Sequence, residues 1–170
     1  MSRPDRDAAA SRRRYTRSRG GLSATAVVAI VTACGSPTVQ LVTVPSPAGG
    51  ERAACGRLMG NLPPSVGENL RRRGTNPRSA DVVAWGTPAV VLYCGVGVPA
   101  DYRPDSHLLI VNGIGWYEDA RGTDLVYTTT TRTPRVSVAV PRKMQSSFEV
   151  LVDLSSAVSR YSTGPDLVPR

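Results

Sequence analysis

The first 34 residues read as an export signal rather than as part of a fold, and that decides how much chain is left to build one. Arg3, Arg6, Arg12, Arg13, Arg14, Arg17 and Arg19 form a positive head opposed only by Asp5 and Asp7. Leu22 to Ala33 follows as a 12-residue, largely apolar run with small residues near its end, the order of a secretory signal. A membrane-spanning helix needs about 20 apolar residues, and Gly35-Ser36-Pro37 ends this run well short of that. The run closes as Val31-Thr32-Ala33-Cys34, small residues before a cysteine, as a lipoprotein signal peptidase requires. Residues 1–33 are thus read as a lipoprotein signal peptide and Cys34 as the lipidation site. Its thiol carries the palmitate-type anchor and its amine becomes the new N-terminus. Two acyl chains hold a protein far more firmly than one, which places the protein on the extracytoplasmic face of the cell membrane. The competing reading is an ordinary secretory signal with an incidental cysteine. Ser11-Arg12-Arg13-Arg14-Tyr15 loosely resembles a twin-arginine signal, so the export route stays open.

The formal net charge of +8 belongs mostly to that head. A strongly basic chain points to nucleic acid, but once residues 1–33 are set aside 14 basic and 11 acidic residues remain. The remainder is a mildly basic surface suited to lying near anionic headgroups, and no nucleic-acid partner is expected.

Beyond Cys34 only Cys55 and Cys94 are left. In an oxidising compartment an even pair in a small domain forms one bridge, and closing a loop of this length stabilises by about 4 kcal/mol. Two buried free thiols are the alternative. His107 is the sole histidine, so four zinc ligands cannot be assembled, and neither a metal nor another cofactor is expected.

Residues 34–51 are rich in Ser, Pro and Gly and read as the lipidated cysteine and a flexible spacer. Residues 52–163 then form a single domain, and 164–170 a tail. Cys55, Leu58, Met59 and Leu62 share one helical face until Pro63-Pro64 ends it. Val66 and Leu70 suggest a second short helix capped at Gly74. Ala89 to Cys94 is a buried strand between Pro88 and Gly95. Leu108 to Val111 and Trp116 to Glu118 are strand segments separated by Asn112-Gly113, a turn or a bulge. Leu125 to Thr131 and Arg135 to Val140 complete the strands, the last with Val136, Val138 and Val140 on one face. Ser146-x-x-Glu149 is a capping-box pattern opening a final helix with Phe148, Leu151, Val152, Ser155 and Val158 on one face, stopped by Gly164-Pro165. The fold class is α+β: a small antiparallel sheet packed against N- and C-terminal helices, with one disulfide.

Cys55-x-x-Leu58 with Leu62-Pro63, the block Ala84-Trp85-Gly86-Thr87-Pro88-Ala89-Val90-Val91-Leu92-Tyr93-Cys94-Gly95-Val96, Val111 to Trp116, the Val136 to Pro141 strand and Leu151 to Ser155 together resemble an uncharacterised family of actinobacterial secreted proteins and lipoproteins. The resemblance spans roughly residues 52–160 and implies a domain of unknown function, from which no catalytic residues carry over. Members are often encoded near a D-alanine ligase, which implies a link to the cell envelope. The family often has an acidic residue where this chain has Gly115, so no role is carried to that position.

Candidate chemistry is sparse. His107 is the only conventional general base, and adjacent Ser106 points away from it if the two lie on a strand; a triad also needs an orienting carboxylate. Glu118-Asp119 and Asp101 with Asp105 are the nearest carboxylate pairs, and both suit loops or solvent. Arg71-Arg72-Arg73 offers phosphate-matched guanidinium forks, or else a solvated helix end. Trp85 and Trp116 either anchor a surface or fill the core, and core is preferred. A candidate binding surface is drawn from Arg71, Arg72, Arg73, Asn112 and Trp116. The reading that follows is a non-enzymatic envelope lipoprotein, its partner an envelope protein or a cell-wall component. The alternatives are an envelope enzyme with a site near His107, and a purely structural envelope domain.

Overall fold

The computed structural model describes residues 37–144 and 146–168, so the expected export signal and lipidation site Cys34 lie outside the described residues. In chain order the elements are β1 (Val39–Gln40), α1 (Gly49–Asn61), β2 (Ser65–Val66), β3 (Leu70–Arg73), β4 (Thr75–Asn76), β5 (Val82–Trp85), β6 (Val90–Cys94), β7 (Leu109–Val111), β8 (Ile114–Arg121), β9 (Asp124–Thr129), β10 (Val136–Pro141) and α2 (Ser147–Tyr161). Eight strands form one antiparallel sheet in the order β2-β3-β5-β6-β10-β9-β8-β7, and β1 pairs with β4 in parallel beside it. The α+β expectation holds.

Period-two alternation decides what each sheet face buries. Val90, Leu92 and Cys94 of β6 and Val136, Val138 and Val140 of β10 project to one side and are buried. They form one core with Cys55, Leu58 and Met59 of α1 and Val150, Leu151, Leu154 and Val158 of α2. Val82, Ala84 and Val91 project to the opposite side, where Val39 and Leu41 pack on them. Asn112-Gly113 is a turn, not a bulge: both residues have positive φ, 49° and 80°, and Val111 pairs with Ile114 across it. That is the backbone a two-residue hairpin requires. Cys55 and Cys94 are bonded, fixing α1 to the end of a central strand.

Four expectations are corrected. The second short helix is instead the β2–β3 hairpin, because Gly67 and Asn69 take left-handed backbone, at φ 53° and 68°, and turn the chain back on itself. Gly74 is no helix cap; its carbonyl accepts the Val39 N–H at 2.8 Å. The supposed spacer is folded from at least Val39. β1 pairs with β4, Leu41 packs on the sheet, and Pro47 lies so close to Gly95 that a Cβ there would meet it at 2.6 Å. Apolar Val39, Leu41 and Pro47 give this proline-rich stretch something to bury, and α1 begins at Gly49. We call residues 39–47 the strap. The tail is held too. Buried Arg132 donates to the Ser162 carbonyl and to Asp166, and the Leu167 N–H donates to the Gly113 carbonyl at 2.7 Å.

The last helix forms as expected, but its buried face is turned by about one residue. Val150, Leu151, Leu154, Ala157 and Val158 face the core, while Phe148 is 55% and Val152 37% exposed. The Ser146 side chain makes no capping bond. Strand β5 was not anticipated; its Trp85 sits between a polar hairpin and a Gly-Thr-Pro turn that hid the pattern.

Replacing both bridge cysteines, Cys55→Ala with Cys94→Ala, should lower unfolding free energy by about 4 kcal/mol, read from denaturant midpoints at constant slope. An unchanged midpoint would contradict the staple.

Candidate binding groove

The helices pack on one face of the sheet, and the opposite face has only partial cover. The strap crosses β5 and β6. The connection from β6 to β7, residues 95–108, reaches over β8, where Tyr102 meets Tyr117 edge-on with centroids 5.4 Å apart. Between strap and loop lies an open groove of about 720 Å³. Its floor is the outward-facing set Tyr93, Val126, Thr128, Ser137 and Ala139. Thr43, Pro45 and Ser46 wall one side, Val96 to Ala100 the other, and Arg121 and Asp124 also line it.

The floor is small, hydroxylated and nearly flat. Thr128 and Ser137 sit opposite each other on β9 and β10, their hydroxyls 3.0 Å apart with one donating to the other. Burial pushes the Tyr93 phenol above its ordinary value, and the negative charge of Asp124 pushes it further the same way. Tyr93 is therefore a neutral phenol at physiological pH, able to donate or accept one hydrogen bond. Arg121 is held by Asp119 at 2.6 Å. The Thr43 and Ser46 hydroxyls of the strap wall, with the Tyr93 phenol, suit recognition of an extended, polar chain; a nucleophile paired with a base is not among the lining residues. A second hollow of about 440 Å³ lies between the first turn of α1 and the last turn of α2, lined by Gly50, Arg57, Thr133 and Arg160 among others.

The residues singled out from sequence do not meet in this groove or anywhere else. Cys34 lies outside the described residues. Arg71, Arg72 and Arg73 are on β3, next to one sheet edge, whereas Asn112 and Trp116 belong to the β7–β8 hairpin at the other. The proposed single binding surface is thereby overturned. Trp116 is fully buried, with its indole N–H unpaired, and cannot serve a surface. Trp85 is equally buried and donates to the Pro63 carbonyl at 3.1 Å; both tryptophans are core, as preferred. Asn112 is exposed in its turn.

The three arginines have separate jobs because they lie on a strand, not a helix. Arg72 turns toward the helices and donates to the carbonyls of Met59, Leu62 and Pro63 at 2.7–3.3 Å. It thus closes the C-terminal end of α1, with its guanidinium 6.0 Å from the Trp85 ring centroid. Arg73 turns the other way and donates to the Pro37 carbonyl and to Thr87. Arg71 is exposed. His107, Asp101 and Asp105 are all exposed in the β6–β7 connection, and Glu118 and Asp119 are consecutive on β8, so their side chains diverge.

The groove residues went unrecognised because each looks like an ordinary outward position on a strand. Alternation with Val136, Val138 and Val140 marks Ser137 and Ala139 as the far face. Which part of that face stays open depends on where strap and loop cross it.

Fold and groove define a disulfide-stapled α+β domain with helices on one sheet face and a partly covered groove on the other. The chain belongs to the DUF3515 family, proteins of unknown function, whose family model matches residues 21–165. No curated protein and no solved structure matches it.

Two outcomes follow from these contacts. Arg72→Ala should cost about 2 kcal/mol, since it leaves three carbonyls without a charged donor, whereas Arg71→Ala should change thermal stability little. The phenols of Tyr93 and Tyr127 are both raised, mainly by burial. The unfolded chain therefore loses these protons first as pH climbs past about 10, and the stability they contribute below that pH is lost as it rises through their native values. Tyr93→Phe should flatten that alkaline loss, measured as denaturation midpoint against pH. An equally steep profile in the variant would remove Tyr93 from it.

Proposed function

We propose that this chain is an exported lipoprotein, tethered through Cys34 to the outer face of the cell membrane, whose folded part binds a partner in the groove between strap and loop. The groove carries this reading: it is an open trough of about 720 Å³ in a sheet face that an ordinary two-layer domain would leave flat. Its lining of one neutral phenol, four hydroxyls, Arg121 and Asp124 and otherwise small side chains favours binding an extended polar ligand over transforming it. The partner is then an envelope protein or a cell-wall component presented outside the membrane. Neither bonded cysteine is free for redox chemistry. His107 is exposed and does not line the groove, which favours the binding reading over an enzyme built around it.

A photocrosslinking residue at Ala139, in the groove floor, should capture a discrete partner in living cells, and the same residue at Gly60, on the exposed side of α1, should not. Equal capture from both positions, or reproducible turnover of a wall precursor by the pure protein that His107→Ala abolishes, would contradict the binding role. Cys34→Ala should release the protein to the medium or leave it as unprocessed precursor. A mature, membrane-bound form of that variant would refute the anchor.

A further inference from the structure

The strap changes what the anchor can do. A spacer reaching to residue 51 would let the domain swing freely, but the folded body begins at Val39, and Arg73 already holds the Pro37 carbonyl. Five residue steps separate Cys34 from Val39, which fully extended reach about 17 Å. A domain tethered that closely must present one particular corner to the bilayer.

That corner is composed for it. The strap emerges beside β3 and β4, and residues 69–80 carry Arg71, Arg72, Arg73 and Arg78 with no carboxylate, while residues 35–50 carry no charge of either sign. None of these four arginines is in an ion pair among the described residues, where the two salt bridges are Arg121–Asp119 and Arg132–Asp166. Arg71 and Arg78 are exposed. Arg71 lies two positions from Arg73 on β3, hence on the same sheet face as the strap. On the strap, Val42 is fully exposed and Val44 38% exposed, although apolar Leu41, their neighbour, is packed on the sheet. Cations without an ion pair and protruding aliphatic side chains, on chain segments that β1 and β4 join, are the composition that seats a surface at a headgroup boundary, by charge attraction together with apolar burial.

We infer that this corner, Arg71 and Arg78 with Val42 and Val44, rests on an anionic phospholipid surface beside the anchor and fixes the orientation of the domain. The inference rests on the lipoprotein reading of Cys34 for its tether, but the corner's affinity for anionic lipid does not. Arg72 and Arg73 take no part, being committed to the end of α1 and to Pro37 and Thr87 respectively.

The test is hydrogen exchange on the protein as purified from its native membrane, in vesicles of phosphatidylcholine alone or with phosphatidylglycerol added. The N-terminal peptide in the same digest shows whether Cys34 is acylated. Peptides covering 39–47 and 70–79 should be protected only with phosphatidylglycerol, and high salt should remove the protection. Arg71→Gln with Arg78→Gln should weaken docking roughly fivefold per charge, and Val42→Ser should weaken it further; these side chains are exposed, so the fold survives. Acylated protein with no such protection, or equal protection in both vesicles, overturns the docking and leaves the anchor standing. Unacylated protein overturns the anchor; protection that phosphatidylglycerol still confers and the double variant still loses then upholds the docking surface on its own. Protection conferred by purified wall polymer and not by vesicles overturns it in favour of a wall-binding corner.

Discussion

The bond between Cys55 and Cys94 fixes the middle of α1 to the last residue of β6, and the next residue carries the fold to its other side. Gly95 has a φ of 77° and receives Pro47 against its backbone, where any Cβ would collide. One short stretch of chain therefore holds a helix on one face of the sheet and the strap on the other. The strap leads directly into α1, so the chain from Val39 onward is pinned at β4, at Gly95 and at the disulfide in turn. The groove exists because of that path. Its strap-side wall, Thr43 to Ser46, is the segment between two of those pins.

Arg72 and Arg132 supply the polar counterpart. Each carries a guanidinium into a place where backbone carbonyls end: Arg72 at the C-terminal turn of α1 and Arg132 at the end of α2. An orphaned helix terminus is costly to bury without partners, and a planar, permanently charged fork meets several carbonyls at once. Most basic residues of the folded part are arginines, and at these two positions a lysine would satisfy fewer of them.

Strong local periodicity made much of this architecture legible. Cys55, Leu58 and Met59 announced α1, Val136, Val138 and Val140 announced β10, and the even pair of cysteines left after Cys34, read with the expected export, announced the disulfide. What failed were places where tertiary contact overrides composition. Residues 39–47 look like linker because Pro and Ser dominate them, yet Val39 and Leu41 find an apolar sheet face to cover. Leu70-Arg71-Arg72-Arg73 looks like a helix end until Gly67 and Asn69 reverse the chain ahead of it. The groove was the least legible feature, since Tyr93, Thr128 and Ser137 are separated by up to 44 positions in sequence and resemble solvent-facing strand residues.

The proposed anchor at Cys34, together with staple and strap, would hold the domain close to a membrane, its groove between strap and loop left for a partner. Intact mass of the protein extracted from its native membrane without reductant tests that description most directly. The account predicts a chain beginning at a diacylglyceryl-bearing Cys34, its mass lighter by the two hydrogens lost to the Cys55–Cys94 bond. An unlipidated mass that retains residues 1–33 would contradict it and make the arginine-rich head part of the working protein.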